Sequence, residues 1–404
     1  MGRQYSPRDF LRQAPNRLLE CYFHGRGLLR EMQVASLAET EVDPIYEAWL
    51  ALSPEVQAEV ESDFQDIYTM ACQNGIRAIL EEGAYHSEDL VPVFEGMAGF
   101  HDKAFWTFLE RRSIFNVALQ FVISDRLSGR YWRKRKDLPH VPAAVDVASI
   151  AALQNALSDY FRQQEGRGHS CEVNCYRRGD RDYFFAFPED YATTTMEWEK
   201  DTLQRRAHKP AFEVVFVYRQ AEGTLNTYCE GQRRIVRDLE LVFGDTILKR
   251  AIGMEAKDTS VYDLDVLKRR DFTFVPPPTS GIESVRIRKL RFSSYGGSKG
   301  KITLEIDAGD PPNAIYDLME QVFAMTGSSS GASDKVPLSS VHVTQASIEV
   351  KFKAEGRRGR NTRTFDIVYP NSCSLKEDER DLVIRQMLVA SKLEPVEQLT
   401  LGVA

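Results

Sequence analysis

The chain has 404 residues, 43% of them apolar and 27% charged, which fits a globular protein and excludes a disordered one. That length exceeds a single ordinary core and predicts two or three domains of about 100–200 residues each. Lys and Arg number 52 against 59 Asp and Glu, and the longest apolar runs (212–218 and 114–123) fall far short of the ~20 residues that span a bilayer, so no membrane partner is expected.

Residues 1–160 read as a helical domain. Ser53-Pro54-Glu55 is a helix start: a capping hydroxyl, proline in the first turn, then an acid at the positive end of the helix dipole. Val56, Val60, Phe64, Ile67 and Ala71 follow at steps of four and three, which places them on one face, and Asn74-Gly75 reads as the stop. Residues 103–123 give a further helix, dense in aromatics (Phe105, Trp106, Phe108, Phe115), at the centre of this domain's core. The run Arg130-Tyr-Trp-Arg-Lys-Arg-Lys136 comes next, bracketed by Gly129 and Pro139, and is expected on a loop or short helix at the domain edge. Val147 to Phe161 reads as another helix.

From Gly166-Arg-Gly168 the period drops to two. Cys171, Val173 and Cys175 alternate with polar residues, 176–181 is a turn, and Tyr183 to Phe187 is a second strand. Phe212–Tyr218 and Leu225–Glu230 form a strand pair, followed by a helix over 232–250 with Ile235, Leu239, Val242, Phe243 and Ile247 on one face. This makes 166–275 a block of hairpins plus a helix. Pro276-Pro-Pro278 interrupts it. The second β-rich block, 281–404, holds strands at 285–292, 302–306, 341–352 and 364–369. It also holds a helix over 314–325, Gly-rich turns at 295–300 and 327–333, and a capping box Ser374-Leu-Lys-Glu377 before a last helix. The expected class is α+β, with a helical N-terminal domain followed by antiparallel hairpin-and-helix blocks.

Four stretches, His101–Leu109, Ser128–Lys136, Asp182–Tyr191 and Thr364–Cys373, together resemble an uncharacterised bacterial protein family. The resemblance implies a bacterial protein and carries no activity and no site residue. With no apolar signal core at the N-terminus, a cytoplasmic location is expected, and six scattered cysteines are then expected to be reduced.

Residues 1–100 hold 7 Lys+Arg against 17 Asp+Glu, so the acidity is concentrated there and the remainder is mildly basic. Against that background the run 130–136 puts five cations and two rings into seven residues. Crowded cations repel one another unless an anion faces them, and rings among them stack on bases or cover a partner's apolar surface. Arg130, Trp132, Arg133, Lys134, Arg135 and Lys136 are therefore the candidate nucleic-acid-binding residues. The competing reading neutralises them internally, on the acidic opening helices. Arg286, Arg288, Lys289 and Arg291, and Arg357, Arg358, Arg360 and Arg363, are further basic clusters that form a groove only if the fold brings them together.

Other motifs are thinner. His169, Cys171 and Cys175 resemble half a zinc site, but two strand cysteines four apart stand about 13 Å from each other, so buried thiols explain them better. Glu349-Val-Lys351 has the form of the acid-x-lysine of metal-dependent nucleases, with Asp334 as the upstream acid. Arg17 and His24 have the spacing of HEPN-type RNases. Phosphate-loop, dinucleotide and serine-hydrolase signatures are absent from the sequence. The expectation is thus a non-catalytic accessory or regulatory protein that binds nucleic acid or a protein partner, without cofactor or metal, as part of a DNA-processing or phage-defence complex. A metal-dependent or HEPN-like nuclease and a purely structural subunit of a larger assembly are the alternatives.

Overall fold

A computed structural model describes residues 5–199, 202–254, 260–294, 300–324, 336–353, 361–376 and 379–394. The chain forms two compact units: residues 1–127 with 176–179, and 128–175 with 180–404. The class is α+β with a helical N-terminal region.

The first unit holds α1 (Pro7–Leu11), α2 (Asn16–Gly25), α3 (Asp43–Leu50), α4 (Pro54–Met70), α5 (Gln73–Tyr85), α6 (Val91–Glu95), α7 (Phe100–Glu110) and α8 (Arg112–Arg126). Helix α4 starts where expected: the Ser53 hydroxyl accepts from the Val56 N–H at 3.4 Å. Its buried face is Val60, Phe64, Ile67 and Met70. Asn74-Gly75 does not stop it. Those residues lie in the first turn of α5, where a Cβ on Gly75 would stand 2.1 Å from the Met70 carbonyl. The glycine is there because two backbones pass in contact. The aromatic helix over 103–123 is two helices broken at Arg111, whose extended φ of −136° interrupts the ladder. Phe10 stacks on Phe64 at 4.5 Å and Phe64 meets Phe105 edge-on at 6.1 Å, at the centre of this core.

The second unit is built on two five-stranded sheets. The strands of the first are β1 (Trp132–Arg135), β2 (Cys171–Arg178) and β3 (Arg181–Pro188). After the separate pair β4 (Thr193–Glu199) and β5 (Thr202–His208) come β6 (Val214–Arg219) and β7 (Thr224–Cys229), giving the order β1-β7-β6-β3-β2. Two helices cover one face, α9 (Val147–Glu165) and α10 (Arg233–Phe243). Helix α9, expected in the helical domain, lies in this second unit because Leu153, Leu157 and Phe161 recur every four residues and pack on Phe184, Val214 and Phe216 of the sheet. Asp146 caps its start by accepting from Ser149 N–H at 3.0 Å, and Gly166, at φ +70°, ends it.

The second sheet contains β8 (Ile282–Ser294) and β9 (Lys301–Glu305). Helix α11 (Ala314–Val322) and the short pair β10 (Phe323–Ala324) and β11 (Val336–Pro337) follow, then β12 (Val341–Phe352), β13 (Thr362–Val368), β14 (Ser372–Cys373) and α12 (Glu379–Ala390). Its order is β14-β13-β12-β8-β9. Ile315, Met319, Ile384, Met387 and Leu388 bring both helices onto its core. Both hairpin blocks thus share one unit. The turns at 295–299, 325–335 and 354–360, and Glu377 of the capping box, lie outside the described residues; the Ser374 hydroxyl there accepts from Asp366 N–H at 2.8 Å.

Candidate nucleic-acid interface

The basic run is neither loop nor helix along its whole length. Gly129–Tyr131 makes one 3-10 turn, and Trp132–Arg135 then pairs antiparallel with β7 in the register Trp132↔Tyr228, Arg133↔Thr227, Lys134↔Asn226 and Arg135↔Leu225. Gly129 is buried, and a Cβ on it would stand 2.3 Å from Ser374 Cα. On the strand's other edge Lys134 N–H donates to Asn371 O at 3.0 Å. A strand so fixed sends alternate side chains to opposite faces. Arg133 and Arg135 share the face covered by α10; Trp132 and Lys134 take the other.

This alternation sorts the cations. Arg135 is 1% exposed. Its guanidinium forks onto Asp137 at 2.5 and 3.1 Å, donates to the carbonyls of Ile252 (3.0 Å) and Gly253 (3.2 Å), and stands 3.8 Å from Glu240 of α10. The Lys134 ammonium donates to Glu394 at 2.6 Å and lies 3.9 Å from Glu222. Burial alone would push the Glu394 carboxyl up, but Lys134, with Arg385 and Lys136, outweighs it and holds the group below the usual glutamate range. Lys136 Nζ reaches Val261 O at 3.4 Å. These three side chains are turned into the protein. Their carboxylate partners belong to their own unit and not to the acidic opening helices, which corrects the expected source of neutralisation.

Arg130 and Arg133 differ. Arg130 is exposed, with its guanidinium 5.2 Å from the Tyr131 ring. Arg133 is half-buried, and its Nη1 donates to the carbonyls of Arg130 (2.8 Å) and Trp132 (2.7 Å) and to the Ser372 hydroxyl (2.9 Å), all neutral acceptors. Burial, and then the charge of Arg233, lowers its pKa. Arg233 opens α10, followed by exposed Arg234 and by half-buried Arg237, whose Nε has no partner; Gln232 supplies no side-chain cap. Thr227, beside Arg133 in the ladder, is fully buried with its hydroxyl unpartnered. One end of the first sheet therefore gathers Arg130, Arg133, Arg233 and Arg234. Its opposite face carries the rings: Trp132 packs on Tyr228 at 5.4 Å and Tyr131 meets Tyr228 edge-on at 6.2 Å. Tyr228 donates to Glu230 at 3.0 Å, and the half-buried Glu213 carboxyl is raised by burial and by Glu230.

The alternative centres are occupied by structural contacts. Glu349 is clamped by Arg286 Nε at 2.6 Å and Arg288 Nη1 at 3.0 Å, while Lys351 pairs with Glu283 at 3.1 Å. Asp334 and Arg357, Arg358 and Arg360 lie outside the described residues, Lys289 pairs with Glu305, and Arg363 pairs with Asp381. Arg17 pairs with Asp102, and the His24 Nε2 sits 3.2 and 3.1 Å from the Leu29 and Met32 carbonyls. Among the described residues, no group of three or more His, Cys, Asp and Glu could hold a metal ion. The Cys171 and Cys175 thiols are pushed up to about 12 by burial. Also among the described residues, no helix is long and apolar enough to cross a membrane.

No protein-family model matches the chain, and no curated protein matches it either.

The sequence reading passed over the β4–β5 arm. Its signal was the period-two placement of Met196 and Trp198 within Thr193–Glu199, and of Leu203 and Arg205 opposite them.

Proposed function

We propose that this chain is a non-catalytic nucleic-acid-binding protein that holds a phosphate backbone at the end of its first sheet, through Arg130, Arg133 and Arg233. The observation that carries this is Arg133. A guanidinium more than half withdrawn from water, bonded to neutral oxygens and set beside a second guanidinium, is stabilised by an incoming anion. Arg233 and Arg234 at the uncapped start of α10 add charge where backbone N–H groups already favour an anion. Lys134, Arg135 and Lys136 are left out of the contact set, because their side chains build the strand that presents the other two.

The test is retention on labelled DNA and RNA as a function of salt. Replacing Arg130, Arg133 and Arg233 together by Ala is expected to weaken binding and to lower the slope of log affinity against log salt by about 1 per lost phosphate contact. A triple variant with unchanged affinity and slope would reject the assignment.

A further inference from the structure

Strands β4 and β5 form an amphipathic arm with an unpartnered face. Among the described residues they pair only with each other, in the register Thr194↔Ala207, Met196↔Arg205 and Trp198↔Leu203 on one face and Thr195↔Arg206 and Glu197↔Gln204 on the other. The second face is self-contained: Glu197 accepts from the Thr195 hydroxyl at 2.7 Å and meets Arg206 at 3.5 Å. The first face is apolar and open to solvent, with Trp198 74%, Met196 61% and Leu203 47% exposed. Arg205 is the only charged side chain on it among the described residues.

The position of the arm is set by topology. It extends the central pair β3–β6 through Glu189↔Ala211 and the bonds Asp190 N–H to Pro210 O (2.7 Å) and Phe212 N–H to Pro188 O (3.0 Å). Val214 pairs with Cys229 and Tyr228 with Trp132, so β6 begins where β7 ends and β1 begins. The arm therefore leaves the sheet at the same end as Arg130, Arg133 and the start of α10. At ~3.3 Å per residue its seven-residue strands reach about 23 Å outward.

We infer that this arm is a base-stacking clamp for single-stranded nucleic acid, with Trp198 against an unpaired base, Leu203 and Met196 extending the platform, and Arg205 on the adjoining phosphate. The inference rests on the phosphate-binding reading above and gives it a strand type. A flat ring on the same face as a cation that, among the described residues, has no carboxylate facing it suits a strand with both π-faces and negative charge. The apolar face is too small for self-association: three side chains present on the order of 300 Å², against roughly 800 Å² per partner in a stable complex. Insertion into a duplex groove needs the wedge to unstack paired bases, whereas a single strand offers them free.

Fluorescence anisotropy of the full chain, with labelled single-stranded DNA and RNA and with a blunt duplex, tests this at two salt concentrations. Trp198→Ala is expected to weaken single-strand binding about 10- to 100-fold with the salt slope unchanged, while Trp198→Tyr keeps most of the affinity. If Trp198→Ala binds like the wild type while the arginine variant is weakened, the clamp is wrong and the phosphate reading stands. If the wild type binds neither strand type, both fall. A wild type that prefers duplex, with Trp198→Ala losing only duplex binding, overturns the single-strand assignment. Sedimentation showing a dimer that Trp198→Ala dissociates would assign the face to a second copy instead.

Discussion

Replacing Arg135 by Ala tests whether the basic run is part fold and part surface. The change removes a forked pair to Asp137, the donors to the carbonyls of half-buried Ile252 and of Gly253, and the counter-charge 3.8 Å from Glu240, a side chain only 3% exposed. Taking one partner out of a buried ionic network costs about 3–5 kcal/mol, because the groups left behind lose their compensation. Arg135→Lys keeps the charge but supplies a point donor in place of a fork, so an intermediate loss is expected. Arg133→Ala is the control: it loses bonds to neutral acceptors but relieves the repulsion from Arg233, and is expected to cost only about 0.5–1.5 kcal/mol. Urea unfolding followed by circular dichroism reads the difference. With a slope of about 2–3 kcal/mol per molar, Arg135→Ala lowers the midpoint of the second unit's transition by roughly 1–2 M. Equal midpoints for Arg135→Ala and wild type, or equal losses for the two alanine variants, would refute the division of the run into inward and outward cations.

Lys134→Met should destabilise by about 3 kcal/mol near neutrality, since the buried Glu394 carboxylate loses its nearest cation. Glu394 is held below its ordinary range in the folded state, so its contribution is present above the ordinary glutamate pKa and is lost as pH falls through the depressed value. The deficit of the variant in a thermal-melt series should therefore shrink below about pH 4. Gly129→Ala drives a methyl into the Ser374 backbone and should cost about 1–3 kcal/mol in the same urea assay; an unchanged midpoint would mean the two segments do not touch. Iodoacetamide at pH 8 should modify the exposed Cys21 and spare Cys171, Cys175 and Cys229, whose thiols burial pushes up to about 12. Peptide mapping that finds Cys229 labelled as fast as Cys21 would contradict that burial.

Local signals were legible where the cause is local. The Ser53 cap, the four-residue recurrence in α9 and the continuous apolar run of β6 are written within a few residues of the structure they produce. Gly75 was misread because a glycine that ends a helix and one that lets two helices touch have the same spelling; only the neighbouring Met70 carbonyl separates them. The cations at 130–136 were legible as a cluster and not as contacts. Of the acids that neutralise Lys134 and Arg135, only Asp137 is local; Glu222, Glu240 and Glu394 stand far along the chain, and composition does not say which acid meets which base. The β4–β5 arm was overlooked since an exposed strand with Thr, Glu and Arg between its apolar residues reads as a loop unless the alternation is counted.

The bond between Lys134 and Glu394 also bears on synthesis, because it joins positions 260 apart in the chain. At about 5–20 residues per second, the ribosome takes roughly 13–50 s to deliver the carboxylate after the lysine. Through that interval the nascent second unit carries an incompletely compensated strand, so its closure waits until residue 394 has been made.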